Sequence, residues 1–154
     1  MKAITIRQPW ATLIVSLDGS GRPLKAVETR GWKTSYRGPL AIHAGKTVPD
    51  MFFMGMSEAD ADAFLSAGLD GDQAIACLPY GAIVGKVTLV DCVPIEQLYG
   101  SGLDTPRERA FGDWRPGRYG WILANPILFK APIPTRGKQG LWEWNMEICE
   151  SRLQ

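Results

Sequence analysis

The sequence predicts a mixed α+β protein built around a small, partly open β-barrel of five or six short strands. Three observations lead there. Seventeen glycines and eleven prolines cut the 154 residues into short segments rather than long periodic ones. Most of these segments alternate apolar and polar residues or are rich in Val, Ile and Thr, as half-buried strands are. A content of 45% apolar and 21% charged residues is the balance of a chain that buries a core of its own. The length suits one domain, taken as residues 1–154.

Residues 3–6 read as a short strand. Pro9 suits the first turn of a helix, and Trp10, Leu13, Ile14 and Leu17 recur at helical spacing, so a short amphipathic helix is expected over 9–17. Gly19, Gly21 and Pro23 end it in a loop. Strands follow over 25–33 and 40–44, the second bounded by Gly38-Pro39 and Gly45. From 47 to 80 the character changes. Ser57, with Asp60 three residues on, marks the start of a helix running to about residue 67, and the segment reads as a helical insertion between two strands. Residues 81–93 carry the strongest strand pattern in the chain. Tyr119, Trp121 and Leu123 share one face of a strand over 119–123, and Trp142, Trp144 and Met146 share one over 141–146. Pro132, Pro134 and a basic glycine loop over 135–140 lie between them.

The net charge of +1 hides an asymmetry. Residues 1–46 carry eight Lys and Arg against Asp18 and Glu28, a local +6, whereas 47–80 carry six acids and no base. A basic face beside an acidic segment is therefore expected. The apolar run over 11–17 is too short and too interrupted for a signal peptide or a membrane span. Three cysteines far apart (Cys77, Cys92 and Cys149) offer neither a disulfide framework nor a CxxC zinc site, and a single histidine leaves no multi-histidine metal centre. The expectation is a cytoplasmic monomer with no cofactor, no metal and no membrane contact.

Gly45-Lys46-Thr47 resembles the end of a phosphate loop, but that motif needs a glycine where Leu40 stands, inside a strand. His43 could serve a nucleophile, yet no nucleophile elbow accompanies it. It faces opposite to Leu40 and Ile42, either exposed or lining a cleft. Lys25-x-x-Glu28-x-Arg30 is the charge cluster of most interest. Lys25 and Glu28 meet at i,i+3 if the chain turns before the strand, and Glu28 and Arg30 share a face at i,i+2 once it is extended. A surface ladder of salt bridges has the same composition. Trp10, Trp32, Tyr36, Trp114, Tyr119 and Trp121 are interleaved with Arg7, Arg30, Lys33, Arg37, Arg115 and Arg118. Single-stranded nucleic acid is held in this way, with bases on aromatic faces and cations along the backbone. Trp142 and Trp144 are assigned to the core.

Taken in order, these residues become recognisable. Ile4-Thr5-Ile6-Arg7-Gln8-Pro9-Trp10-Ala11, the Lys25-x-x-Glu28-x-Arg30 segment and Tyr36-Arg37-Gly38-Pro39-Leu40-x-Ile42-His43-Ala44-Gly45-Lys46 resemble the ASCH-domain family. Gly81-x-Ile83-Val84-Gly85, Phe111-Gly112-Asp113-Trp114-x-x-Gly117-Arg118-Tyr119-x-Trp121 and Pro132-Ile133-Pro134 continue the pattern, with 47–80 as the extra segment. The resemblance implies a PUA-like barrel with flanking helices and a cleft lined by the Lys-x-x-Glu-x-Arg segment. It also implies RNA-related roles: some members hydrolyse the amide of N4-acetylcytidine and others have been described as ribonucleases. In the amidohydrolase branch the site is a lysine, a threonine three residues later and an acid from beyond the long central strand. Lys25 matches the lysine, Glu28 stands at the threonine position, and Asp113 or Glu108 matches the acid.

The leading expectation is an RNA- or modified-nucleoside-binding module. Its binding residues are Arg7, Gln8, Trp10, Arg30, Trp32, His43, Lys46, Arg118 and Tyr119, with Glu28 accepting from an exocyclic amine. The alternative is a hydrolase, acting on an acylated nucleoside or as a metal-independent ribonuclease, with Lys25, Glu28 and Asp113 as its catalytic groups. A third reading is an interaction domain whose acidic insert binds a protein partner.

Overall fold

The computed structural model describes residues 1–146, so Cys149 lies outside the described residues. Six strands form one sheet: β1 (Lys2–Ile6), β2 (Val27–Arg30), β3 (Gly38–Ala44), β4 (Ala82–Pro94), β5 (Tyr119–Pro134) and β6 (Leu141–Glu143). Their order is β2-β5-β4-β3-β1-β6, with β1 and β3 parallel and every other pair antiparallel. The sheet is strongly bent but does not close into a hydrogen-bonded barrel. Register shifts after Ile83, Lys86 and Leu89 bend the β4–β5 ribbon. The bend needs Gly85, because a Cβ there would clash with the Ile127 carbonyl and come within 2.9 Å of Val15 Cγ1.

β5 is sixteen residues long, well beyond the expected strand over 119–123. Asn125 adopts φ of 52°, and the strand carries on through Pro126, Pro132 and Pro134, paired along that length with β4 alone. β2 is shorter than expected: Lys25 and Ala26 are irregular, and the chain bends at Gly31 and Trp32.

The helix after β1, α1 (Trp10–Val15), splits its apolar side between two clusters. Ala11, Ile14 and Val15 enter the core inside the bent sheet with Ile4, Leu40, Ile42 and Trp121. Leu13 enters a second core with Leu24, Phe64, Leu69, Ile75 and Phe111. That second core is built largely by the insertion, through α2 (Glu58–Ser66) and α3 (Asp72–Ala76), against α4 (Pro106–Phe111). Ser57 Oγ accepts from the Asp60 amide at 3.1 Å, the cap read from the sequence. α4 starts on the same chemistry, with the Thr105 hydroxyl accepting from the Glu108 amide and Pro106 in the first turn. Trp142 and Trp144 are buried with Ala3, Ala41 and Ile83, as expected. Among the described residues no helix is long and apolar enough to cross a membrane.

Phe64 is 1% exposed and touches both the insertion and α4. Phe64→Ala should lower stability by about 3–5 kcal/mol. Because Leu13 and Trp10 tie this core to the sheet, urea unfolding followed by tryptophan fluorescence should stay a single transition at a lower midpoint. Two separated transitions would show that the insertion folds as a unit of its own.

Candidate functional site

A cleft of about 1040 Å³ lies where the bent sheet leaves its ends unjoined. β2 is one edge of the sheet and β1 lies next to the other, yet residues of both line this cleft. β6 covers β1 only along Lys2–Ile4, which leaves Thr5 and Ile6 without a strand on that side. Arg30 crosses the gap, its Nη2 donating to the Thr5 carbonyl at 3.1 Å. Glu28, Thr29 and Arg30 come from β2, Ile4, Thr5 and Ile6 from β1, and His43 from β3. Gly45, Lys46, Gly81 and the loop 135–140 complete the rim.

Six basic side chains border the cleft (Arg7, Arg30, Lys46, Arg118, Arg136 and Lys138) against two carboxylates, Glu28 and Asp113. Arg118 is committed inside the protein: its Nε donates to the Asp113 carbonyl at 3.0 Å and its Nη2 to the Thr29 carbonyl at 3.3 Å. Arg30 bridges the seam, while its own Nε is buried with no hydrogen-bond partner. Arg7, Lys46, Arg136 and Lys138 are exposed, and among the described residues their side chains enter no hydrogen bond or ion pair. Elsewhere Arg37, Arg107 and Arg109 each meet an aspartate. The free cations at the cleft therefore set a positive field over it.

Of the expected catalytic residues, Glu28 and Asp113 line the cleft and Lys25 does not. Asp113 lines the cleft but is gripped by Arg115, whose Nε and Nη2 reach its two oxygens at 2.8 and 2.6 Å. The Arg115 hydrogen bonds hold its pKa down from the usual 3.8 to about 2, so it stays ionised and is a poor base. Lys25 does not line the cleft. Its side chain is fully buried, with Nζ donating to the Val27 carbonyl and lying 3.9 Å from Glu28 Oε1, which is the i,i+3 pair read from the sequence. The acid that accompanies Lys25 is Glu108, on α4. Burial pushes the Glu108 pKa up, while Lys25 and the Ala26 amide, at 2.6 Å from Oε1, oppose that. Glu28 stands between the two environments: it borders the cleft, its Oε1 accepts from the Thr29 amide at 3.0 Å, and its Oε2 is buried without a partner.

The expected binding residues divide as well. Gln8 and Tyr119 do not line the cleft. Gln8 is fully buried, giving Nε2 to Thr12 Oγ1 and the Pro79 carbonyl and accepting from the Thr12 amide, so it staples α1 to the end of the insertion. Tyr119 packs on the sheet core. Trp32 is 39% exposed at the cleft and is held edge-to-face on Trp121, 4.8 Å between centroids. Trp10 lines the cleft and an adjoining hollow of about 280 Å³, with Phe52 of the insertion against its ring at 5.5 Å. His43 is 2% exposed, and both ring nitrogens are engaged: Nε2 donates to the Thr135 carbonyl at 2.6 Å and Nδ1 lies 3.1 Å from Thr5 Oγ1. Burial pushes its pKa down, favouring a neutral ring. Sequence reasoning left Arg136 and Lys138 off the site, although their alternation with Gly137 and Gly140 was the available signal. Among the described residues, no three His, Cys, Asp or Glu side chains gather as a metal-holding group.

The ASCH domain profile matches residues 4–133. The chain is 29% identical over 145 residues to activating signal cointegrator 1 of Homo sapiens, and equally so to that of Mus musculus. Each match takes in 94% of this chain but 22% of the relative, so the chain spans about a fifth of the length of these curated relatives. Among solved structures, the ASCH protein of Zymomonas mobilis aligns with a TM-score of 0.54 at 15% identity, over 99% of this chain and 92% of that one. A point mutant of the same protein gives 0.53 at 14%, over 99% and 95%. At such identities the likeness speaks for the fold.

The Asp113–Arg115 grip has a pH signature. The carboxyl is more acidic folded than unfolded, so its contribution to stability is present above about pH 3.8 and is lost as pH falls towards about 2. A carboxyl-carbon NMR titration should place the Asp113 midpoint near 2, and Arg115→Ala should return it towards 3.8. A midpoint unmoved by that substitution would assign the shift to another group.

Proposed function

The chain belongs to the ASCH domain family, and on that premise we propose that it is a binding module for single-stranded RNA that takes an unstacked base or a modified nucleoside into the cleft between β1 and β2. The observation that carries this reading is the gathering of four unpaired cations, Arg7, Lys46, Arg136 and Lys138, around one cleft that also holds an exposed aromatic face. Phosphates would meet the rim, Trp32 would stack a base, and Glu28 would accept from an exocyclic amine. The volume of the cleft, about 1040 Å³, can take a nucleoside.

A hydrolase acting on an acylated nucleoside is the second reading, favoured by a buried lysine set between Glu28 and Glu108. Against it stand the closure of Lys25 from the cleft, a carboxylate where a hydroxyl nucleophile would be needed, and an Asp113 tied to two arginines. Turnover of N4-acetylcytidine by the wild type, abolished in Lys25→Met, would put this reading first.

Fluorescence anisotropy with a labelled single-stranded RNA is the direct test. Four phosphate contacts should give a slope of about −2.8 for log K against log salt, at about −0.7 per contact. Trp32→Ala should weaken binding by about 1–3 kcal/mol at any salt concentration and leave that slope alone. Binding indifferent to salt would remove the phosphate-tracking rim from the account.

A further inference from the structure

The rim loop 135–140 has no regular secondary structure, yet it is seated on the sheet at three points. The Thr135 amide donates to the Gly81 carbonyl at 3.0 Å. The Thr135 carbonyl receives His43 Nε2 at 2.6 Å, and since a carbonyl only accepts, Nε2 carries the proton. The Lys138 carbonyl accepts from Thr5 Oγ1 at 3.2 Å, and the same hydroxyl lies 3.1 Å from His43 Nδ1, so its one proton is shared between the two acceptors. Between these anchors Gly137 lies directly on the imidazole. A Cβ on it would fall 2.6 Å from His43 Cε1 and 2.7 Å from Thr5 Oγ1, a space that only hydrogen fills. The histidine ring also packs edge-to-face with Trp142, 5.8 Å between centroids.

We infer that His43 is a positioning residue that latches the loop to β1 and β3, and so fixes Arg136 and Lys138 at the rim as a pair of phosphate-contacting cations. This rests on the RNA-binding reading above and goes beyond it: the histidine touches the loop backbone and acts on the ligand only through the two cations. Without the latch those side chains stay charged, but the loop no longer presents them to the phosphates, so their two contacts are lost.

The probe is a fluorescein-labelled single-stranded RNA dodecamer, titrated across salt concentrations, with tryptic cleavage after Arg136 and Lys138 as a readout independent of RNA. His43→Ala should speed cleavage at those two bonds, lower the magnitude of the salt slope by about 1.4, and weaken binding roughly twentyfold at about 0.1 M salt, as two lost contacts do. His43→Gln, which can still donate to Thr135 and accept from Thr5, should restore much of both. Gly137→Ala lifts the loop with the histidine in place and should match His43→Ala, which covers the case of a destabilised histidine variant. In a background of Arg136→Gln with Lys138→Gln, His43→Ala should add no further loss. Additive losses would make His43 a direct ligand contact and overturn the inference, as would tryptic cleavage unchanged in both His43→Ala and Gly137→Ala. A wild type without salt-dependent RNA binding would instead overturn the functional reading, and the tryptic comparison would still judge the latch.

Discussion

A sheet edge has backbone groups to satisfy, and this protein meets that need differently at its two ends. β6 is three residues long and covers only part of β1, while β2 is four residues long and pairs on one side only. Beyond the end of β6 the Thr5 carbonyl is served by the Arg30 guanidinium. One longer terminal strand would close the ring and fill the site. The seam is thus both the weak point of the architecture and the reason a polar, concave surface exists at all. Of the site residues, Arg30 comes from the edge strand β2, and its side chain does at Thr5 the work of an absent strand.

The insertion stands in a double relation to this seam. None of residues 47–80 except its first neighbours at the rim, Lys46 and Gly81, touches the cleft, so its six acids do not neutralise the cations there. Yet Phe52 and Phe64 back Trp10, and Gln8 reaches Pro79. The acidic segment therefore supports the wall through its aromatic side chains, and none of its six carboxylates lines the cleft. The charge asymmetry visible in the sequence becomes a separation of faces.

Local signals were read correctly where the physics is local. The Ser57 cap, the i,i+3 approach of Lys25 and Glu28, the shared face of Glu28 and Arg30, and the buried Trp142 and Trp144 all follow from spacing alone. The Thr105-Pro106-x-Glu108 start of α4 was equally available and went unused. The expected strand over 119–123 stops short of Pro132 and Pro134, whereas β5 runs through both, paired with β4 across register shifts that bend the ribbon. The side on which Lys25 and Gln8 lie was not legible. Lys25 is drawn inward by a carbonyl two residues away and by Glu108, more than eighty residues on, and Gln8 is captured by Thr12 and Pro79. Which of Glu108 and Asp113 faces the cleft likewise depends on where α4 docks, and that is set by the insertion.

The pairing of β1 with β6 and of β2 with β5 has a consequence for the chain as it is made. β1 leaves the ribosome before its partner β3, and its second edge waits for Leu141–Glu143. Val27–Arg30 must wait for Tyr119–Ile122 before any ladder can form. Most of the sheet is thus joined by contacts distant in sequence, the topology that folds slowly. During that interval the basic strand residues emerge ahead of the acidic stretch that follows them. A nascent chain of this kind carries a bare, positively charged segment past the ribosomal surface before its structure can bury or organise it.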